Sequence, residues 1–212
     1  MVYSVGGGTI GFEKQMVMPD KPVVEQGDDA LMLRVADKDA EAFRTLVDRH
    51  ARIPFAIGCR MVKDPAEAED IAQEAMLRLW NNAEKWTSGG AGVEAWLRRV
   101  AVNLCLDRLR KRKRMSDEDV PEQVDDAPTA DAVVDNSRQA LAVKHCIGKL
   151  GDRQRAAVVL TYYEEQSNLD AAGTMDMKLK GFESLLFRAR AALKHCLENS
   201  PYVLNNQEGD AA

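Results

Sequence analysis

Six of the seven residues from Arg108 to Arg114 are basic, with Leu109 alone interrupting them. Guanidinium and ammonium groups at that density do one kind of chemistry well: they neutralise a line of phosphates. The residues leading into the run extend the case. At about 100° per residue, Trp96, Arg99, Asn103, Asp107, Arg110 and Arg114 fall within about 40° of one line on a helix. An arginine grips a phosphate, an asparagine offers donor and acceptor to a base edge, and an aromatic ring stacks on an unpaired base. The plainer alternative is a solvated helix end whose cations suit the C-terminal dipole.

Two further stretches carry patterned polar groups. In "AEDIAQEAMLRLW", Ala68 to Trp80, the residues Asp70, Gln73, Glu74 and Leu77 share one face, while Ile71, Ala75 and Leu79 line another. An acidic face with one leucine suits a basic groove on a partner protein; the alternative is an ordinary solvated face. In "SNLDAAGTMDMKLKGFESLLFRARAALK", Ser167 to Lys194, a short helix over about 168–174 meets a tight turn and then a long helix. There Phe182, Leu185, Leu186, Ala189 and Leu193 form an apolar face, and Glu183, Phe187, Arg190 and Lys194 another. This reads as a helix-turn-helix or as a plain helical hairpin.

Covalent chemistry has little to work with. There is no G-x-S-x-G and no phosphate-cradling glycine motif, and the chain has three histidines. The cysteines, Cys59, Cys105, Cys146 and Cys196, form no C-x-x-C and read as buried free thiols of a reducing compartment. "KHC" occurs at both 144–146 and 194–196. The two pairs would make a metal site only if the fold joined them, and neighbouring helical residues are poor chelates. The expectation is no enzyme, no catalytic residue, no metal and no cofactor.

The elements that must position these groups are helical. Helical periodicity dominates two blocks, 28–114 and 138–199, with no alternating strand pattern. Residues from Asp28 to about Val47 suit one helix, and Pro54 should break or kink the next stretch. Asp64 can cap a helix that begins at Pro65, with Glu67 completing a capping-box pattern. Ser88 to Gly92, "SGGAG", is a loop, and a helix from Val93 to about Lys113 carries the basic run. The fold class is therefore all-α, with two small helical domains joined by an acidic linker.

Charge is divided unevenly. The net charge is −5, yet residues 28–114 and 138–200 each carry +3. Residues 115–137 hold eight acidic groups and no basic one, so the strip reads as a flexible linker. Residues 1–27, with Gly6-Gly7-Gly8, read as a disordered leader in which Met16 or Met18 could be the start; residues 200–212 read as a tail. No apolar run is long enough to span a membrane, and the N-terminus lacks the pattern of a signal peptide, which points to the cytoplasm.

Taken in order, "DPAEAEDIAQEAMLRLW", "AWLRRVAVNLCLDRLRK", an acidic linker, "LGDRQRAAVVLTYYEE" and "ESLLFRARAAL" resemble a bacterial RNA polymerase sigma factor of the extracytoplasmic-function class, over about residues 28–197. The resemblance implies that residues 28–114 are sigma region two and 138–199 region four. It implies that Asp70, Gln73, Glu74 and Leu77 meet the coiled coil of the polymerase beta-prime clamp. Trp86 and the Ser88–Gly92 loop would take up an unpaired base of the melted minus-ten element, alongside Trp96, Asn103, Asp107, Arg110, Lys111 and Arg114. Lys178, Lys180, Glu183, Ser184, Arg188 and Arg190 would read the minus-35 element. The implied partners are core RNA polymerase, through the beta-prime clamp and the beta flap, promoter DNA and an anti-sigma factor, without membrane insertion. The implied role is promoter recognition and melting for a stress regulon; a stand-alone DNA-binding regulator and a protein-binding helical adaptor are the alternatives. The acidic linker would mimic a nucleic-acid strand inside polymerase channels.

One departure is chemical. "MDMK", Met175 to Lys178, stands where the family shows a turn glycine and a capping Ser or Thr. A left-handed backbone costs more at Asp176 than at glycine, and Lys178 cannot cap; Asp176 is the alternative cap. Gly181 also weakens the start of the long helix, by roughly 1 kcal/mol against alanine.

Overall fold

The computed structural model describes residues 26–62, 64–118 and 138–200. The leader (save residues 26 and 27), most of the acidic linker and the tail from residue 201 lie outside the described residues. Among the described residues the regular elements are all helices.

The stretch expected to be one helix is two: α1 (Asp28–Ala36) and α2 (Ala40–His50). Lys38 takes a left-handed φ of 64°, and Asp39 turns its carboxylate onto the amides of Glu41 and Ala42. The Arg34 guanidinium clasps the same carboxylate at 2.7 Å. Aspartate competes for backbone donors better as a cap than it serves a helix interior, so the helix ends and restarts there. α3 (Arg52–Met61) follows after Ala51. Pro54 lacks the N–H that would bond the His50 carbonyl, which accounts for the interruption.

α4 (Pro65–Asn82) begins as its sequence predicts, with Asp64 accepting from the Ala66 amide at 3.0 Å and Pro65 in the first position. Glu67 does not close a capping box; its carboxylate instead meets Arg112 at 2.8 Å. A 3-10 turn (Ala83–Lys85) and a loop lead to α5 (Gly92–Glu118), which begins one residue before the expected start and continues past Arg114. Ala68, Ile71, Ala75 and Leu79 of α4 and Leu97, Ala101 and Cys105 of α5 are fully buried, where α3, α4 and α5 pack on one another. The crossing of α3 and α4 is close: a Cβ on Gly58 would meet Ala68 at 3.0 Å.

The second half holds α6 (Arg138–Gly148), α7 (Asp152–Tyr162), α8 (Asn168–Thr174) and α9 (Leu179–Glu198). Phe182, Leu186 and Ala189 of α9 are buried, where that helix packs on α7 and α8. The turn between α8 and α9 does what the sequence requires of it. Asp176 adopts φ 52°, and the Met175, Asp176 and Met177 amides close onto the carbonyls of Ala171, Gly173 and Ala172. Asp176 does not cap α9. Lys178 holds the N-cap position without a side-chain bond, and Asp176 faces Arg99 of α5 at 3.6 Å.

The halves touch through α3 and α5 on one side and α7 and α8 on the other. Arg155 of α7 is buried among them. Its guanidinium donates to the Met61 carbonyl at 2.7 Å and to the carbonyls of Ile147, Gly148 and Leu150 at 3.3, 2.8 and 3.2 Å. Met61 and Gly148 end α3 and α6, so one side chain serves the unsatisfied carbonyls of two helix termini. Desolvation lowers its pKa, and the neighbouring Asp152 works against that.

The expectation of four buried free thiols fails. Cys146 and Cys196 are joined in a disulfide that ties α6 to α9, with Cα atoms 5.7 Å apart, and Cys59 is exposed. Only Cys105 fits, with burial pushing its thiol pKa up to about 12. The repeated "KHC" thus marks the two ends of one cross-link, and its sulfurs are bonded to each other rather than free for a metal. The bridge closes a separation of 50 residues, for which the loss of chain entropy in the unfolded state amounts to about 4 kcal/mol. Denaturant titration followed by helicity should show that loss both on reduction and in Cys196→Ser. Equal midpoints with and without reductant would contradict it.

Candidate protein and nucleic-acid interfaces

Three surfaces gather the residues singled out in the sequence. The first is a groove of about 410 Å³ between α4 and α5, lined by Asp70, Gln73, Glu74, Leu77, Arg78, Asp107, Arg108 and Lys111 among others. Asp70, Gln73 and Leu77 are exposed and Glu74 is half-buried. Leu77, at 54% exposure, is an apolar tip in a charged surround. Asp70 meets Arg108 of the basic run at 3.3 Å, and Glu74 meets Arg78 at 2.8 Å. The acidic face is therefore partly neutralised at its α5 edge.

The second surface follows α5. Arg99, Asn103, Asp107, Arg110, Lys111 and Arg114 are exposed along it. The basic run does not act as one block. Arg108 and Arg112 turn back to Asp70 and Glu67 of α4, and Lys113 reaches Asp152 of α7 at 2.7 Å. Arg110 lies 3.2 Å from Asp107 on its own helix. Arg110 and Arg114 are exposed on the stripe with Asn103, while Lys111 is exposed at the rim of the groove beside α4.

At the start of α5 lies a cleft of about 820 Å³, walled by Trp86, Trp96, Arg98 and Arg99 on one side and by Glu164, Gln166, Leu169 and Asp170 on the other. Trp86 and Trp96 are half-buried and meet edge to face, with centroids 6.5 Å apart. The Trp86 indole N–H is already engaged: it donates to Asp29 of α1 at 2.9 Å. The other Asp29 oxygen accepts from the Gly89 amide at 3.1 Å. These donors hold the Asp29 carboxyl below the usual carboxylate range, with slight desolvation opposing them. Asp29 carries no sequence signal for this role, because its partner stands 57 residues away.

The third surface is the outer face of α9. Lys178, Lys180, Glu183, Ser184, Arg188 and Arg190 are all exposed there. Phe187 stands among them at 72% exposure, the most exposed large apolar side chain among the described residues. Arg190 is steadied by Tyr162 of α7, donating to its hydroxyl at 2.6 Å and lying over its ring. An exposed helix bearing cations, a hydroxyl, an acid and an aromatic ring, set after a short helix and a tight turn, has the form of a base-reading element.

Two family models match the chain in order. Sigma-70 region 2 matches residues 46–115, and Sigma-70 region 4 matches residues 140–193. The chain belongs to the sigma-70 family. Its class within that family is extracytoplasmic-function. It is 28% identical over 183 residues to the ECF RNA polymerase sigma factor SigK of Mycobacterium sp. (strain KMS), covering 83% of this chain and 93% of that protein. With the SigK of Mycobacterium bovis (strain BCG / Pasteur 1173P2) the identity is 28% over 189 residues, covering 86% and 100%. In fold it is similar to the sigma factor RpoE solved with the anti-sigma factor NepR from Bartonella quintana, with a TM-score of 0.60 at 23% identity, covering 76% of this chain and 99% of that one. The first two surfaces of this sigma-70-family protein fall within region 2 and the third within region 4.

Proposed function

We propose that this sigma factor divides its work among the three surfaces. A sigma-70-family protein is a transcription initiation factor: it binds core RNA polymerase and directs it to promoters. In this chain Asp70, Gln73, Glu74 and Leu77 dock the beta-prime clamp, with region 4 meeting the beta flap. Trp86, Trp96, Asn103, Asp107, Arg110, Lys111 and Arg114 engage the opened minus-ten element. Lys178, Lys180, Glu183, Ser184, Arg188 and Arg190 read the minus-35 element. The chain makes and breaks no covalent bond itself and works in the cytoplasm, where an anti-sigma factor holds it until a stress signal arrives.

The observation that carries this reading is the order of the two family matches along one chain, each containing its own exposed charged surface. The division of charge supports it. Phosphate contact by cations alone is weak and indifferent to sequence, and it falls steeply with salt. Three contacts to a single strand, by Arg110, Lys111 and Arg114, give a log-log salt slope of about −2. A docking surface of opposite sign on α4 supplies the affinity that these cations lack.

Run-off transcription with core polymerase and genomic promoter fragments tests the reading. Discrete promoter-specific transcripts that appear only when the protein is added are expected. Core polymerase that gains no promoter preference from the protein would overturn it.

A further inference from the structure

We infer that Asp29 of α1 is a positioning residue that fixes the shape of the minus-ten loop; the inference rests on the function proposed for that loop. The geometry is a two-point clasp. One carboxylate oxygen takes the Trp86 indole N–H at 2.9 Å and the other takes the Gly89 amide at 3.1 Å. The side chain thus joins the indole that lines the cleft to the crown of the loop.

Among the described residues, Asp29 supplies the side-chain hydrogen bond to that loop. Gly89 and Gly92 both sit at positive φ, 81° and 80°, and a Cβ added at either would meet nothing within 4 Å. A segment of glycines at left-handed dihedrals with open space around them has much conformational freedom to lose on ordering. Packing does not remove that freedom here, so the carboxylate must. Trp86 also meets Trp96 edge to face, so fixing the first indole orients the second. Asp29 itself is well seated: it lies in the first turn of α1, where the helix dipole favours an anion. It bonds to Trp86 and Gly89 without itself lining the cleft, and so acts on DNA through the loop rather than by contact.

The carboxylate has two acceptor oxygens for two donors, and this sets a graded expectation. Asp29→Ala removes both bonds. Asp29→Asn keeps one acceptor and can serve one donor. Trp86→Phe keeps a ring in the cleft but deletes one of the donors.

The experiment uses holoenzyme assembled with the full chain, run-off transcription from a promoter set varied base by base through the minus-ten element, and amide hydrogen exchange at Gly89. Asp29→Ala should lose at least about tenfold in discrimination between preferred and substituted bases, the scale of a lost hydrogen bond to a charged acceptor. Asp29→Asn should fall between it and the parent. Co-purification with core should be unchanged, and the Gly89 amide should exchange faster. A generally destabilised protein would lose core binding as well and leave base preference intact. Retained base preference in Asp29→Ala would overturn the inference alone. A parent holoenzyme with no preference in that element would overturn the reading of the loop and this inference with it.

Discussion

The double substitution Asp70→Lys, Glu74→Lys will abolish co-purification with core RNA polymerase, lowering affinity at least about a hundredfold. Two carboxylates on one helix face become two ammonium groups, so each attraction to a basic partner groove becomes a repulsion. About 1.5 kcal/mol per site, modest for charge pairs at an interface, multiplies to that factor. The fold should survive. Asp70 pairs with Arg108 and Glu74 with Arg78 at the surface, where such pairs contribute at most about 1 kcal/mol each. The melting temperature should therefore move by only a few degrees. Leu77→Ala in the same face should weaken binding less, since it removes an apolar contact without adding repulsion. Analytical gel filtration of the variant with core enzyme decides the matter. Co-elution at the parent's affinity would show that polymerase docks elsewhere.

Arg155→Met will cost about 3 kcal/mol of stability, roughly 10 °C in melting temperature for a chain of this size. Methionine fills the space of the arginine stem but leaves the carbonyls of Met61, Ile147, Gly148 and Leu150 without their shared donor. Two of these close helices, so the loss is felt in α3 and α6 together. Arg155→Lys should recover less than half of the loss. An ammonium is a point charge, whereas the guanidinium fork reaches both helix ends at once. Thermal unfolding by circular dichroism, compared across the three proteins, gives the answer. A lysine variant as stable as the parent would mean that charge alone matters there.

Local rules made the interface elements readable. The Asp64–Pro65 start of α4 needs only neighbouring residues, and the buried and exposed sides of α5 follow from helical period. The turn before α9 follows from backbone sterics, and its left-handed residue is Asp176, the position where a turn glycine was missing. What the sequence hid depends on distant partners. Asp28 to Val47 has helical periodicity throughout, yet Asp39 prefers the free amides of a new helix to a place inside an old one. Cys146 and Cys196 look like isolated thiols until α6 and α9 are laid side by side. Nothing adjacent in sequence marks Arg155 for burial, because its decisive acceptor, the Met61 carbonyl, stands 94 residues earlier. Asp29 is one of two adjacent aspartates at a helix start, and only the returning chain shows that it holds a loop.

The contact of Arg155 with Met61 holds together the two halves that the proposed function assigns to different promoter elements. Elements named for positions ten and thirty-five are about 25 base pairs apart, and at 3.4 Å per pair the interval is about 85 Å of duplex. In the described form the two halves lie against each other, with Arg98 held to Glu164 at 3.3 Å and Lys113 to Asp152 at 2.7 Å. The salt bridges between the halves oppose their spreading over an interval of that length. On the function proposed above, engaging both elements at once requires the halves to part, and the energy of docking is drawn down first by that separation.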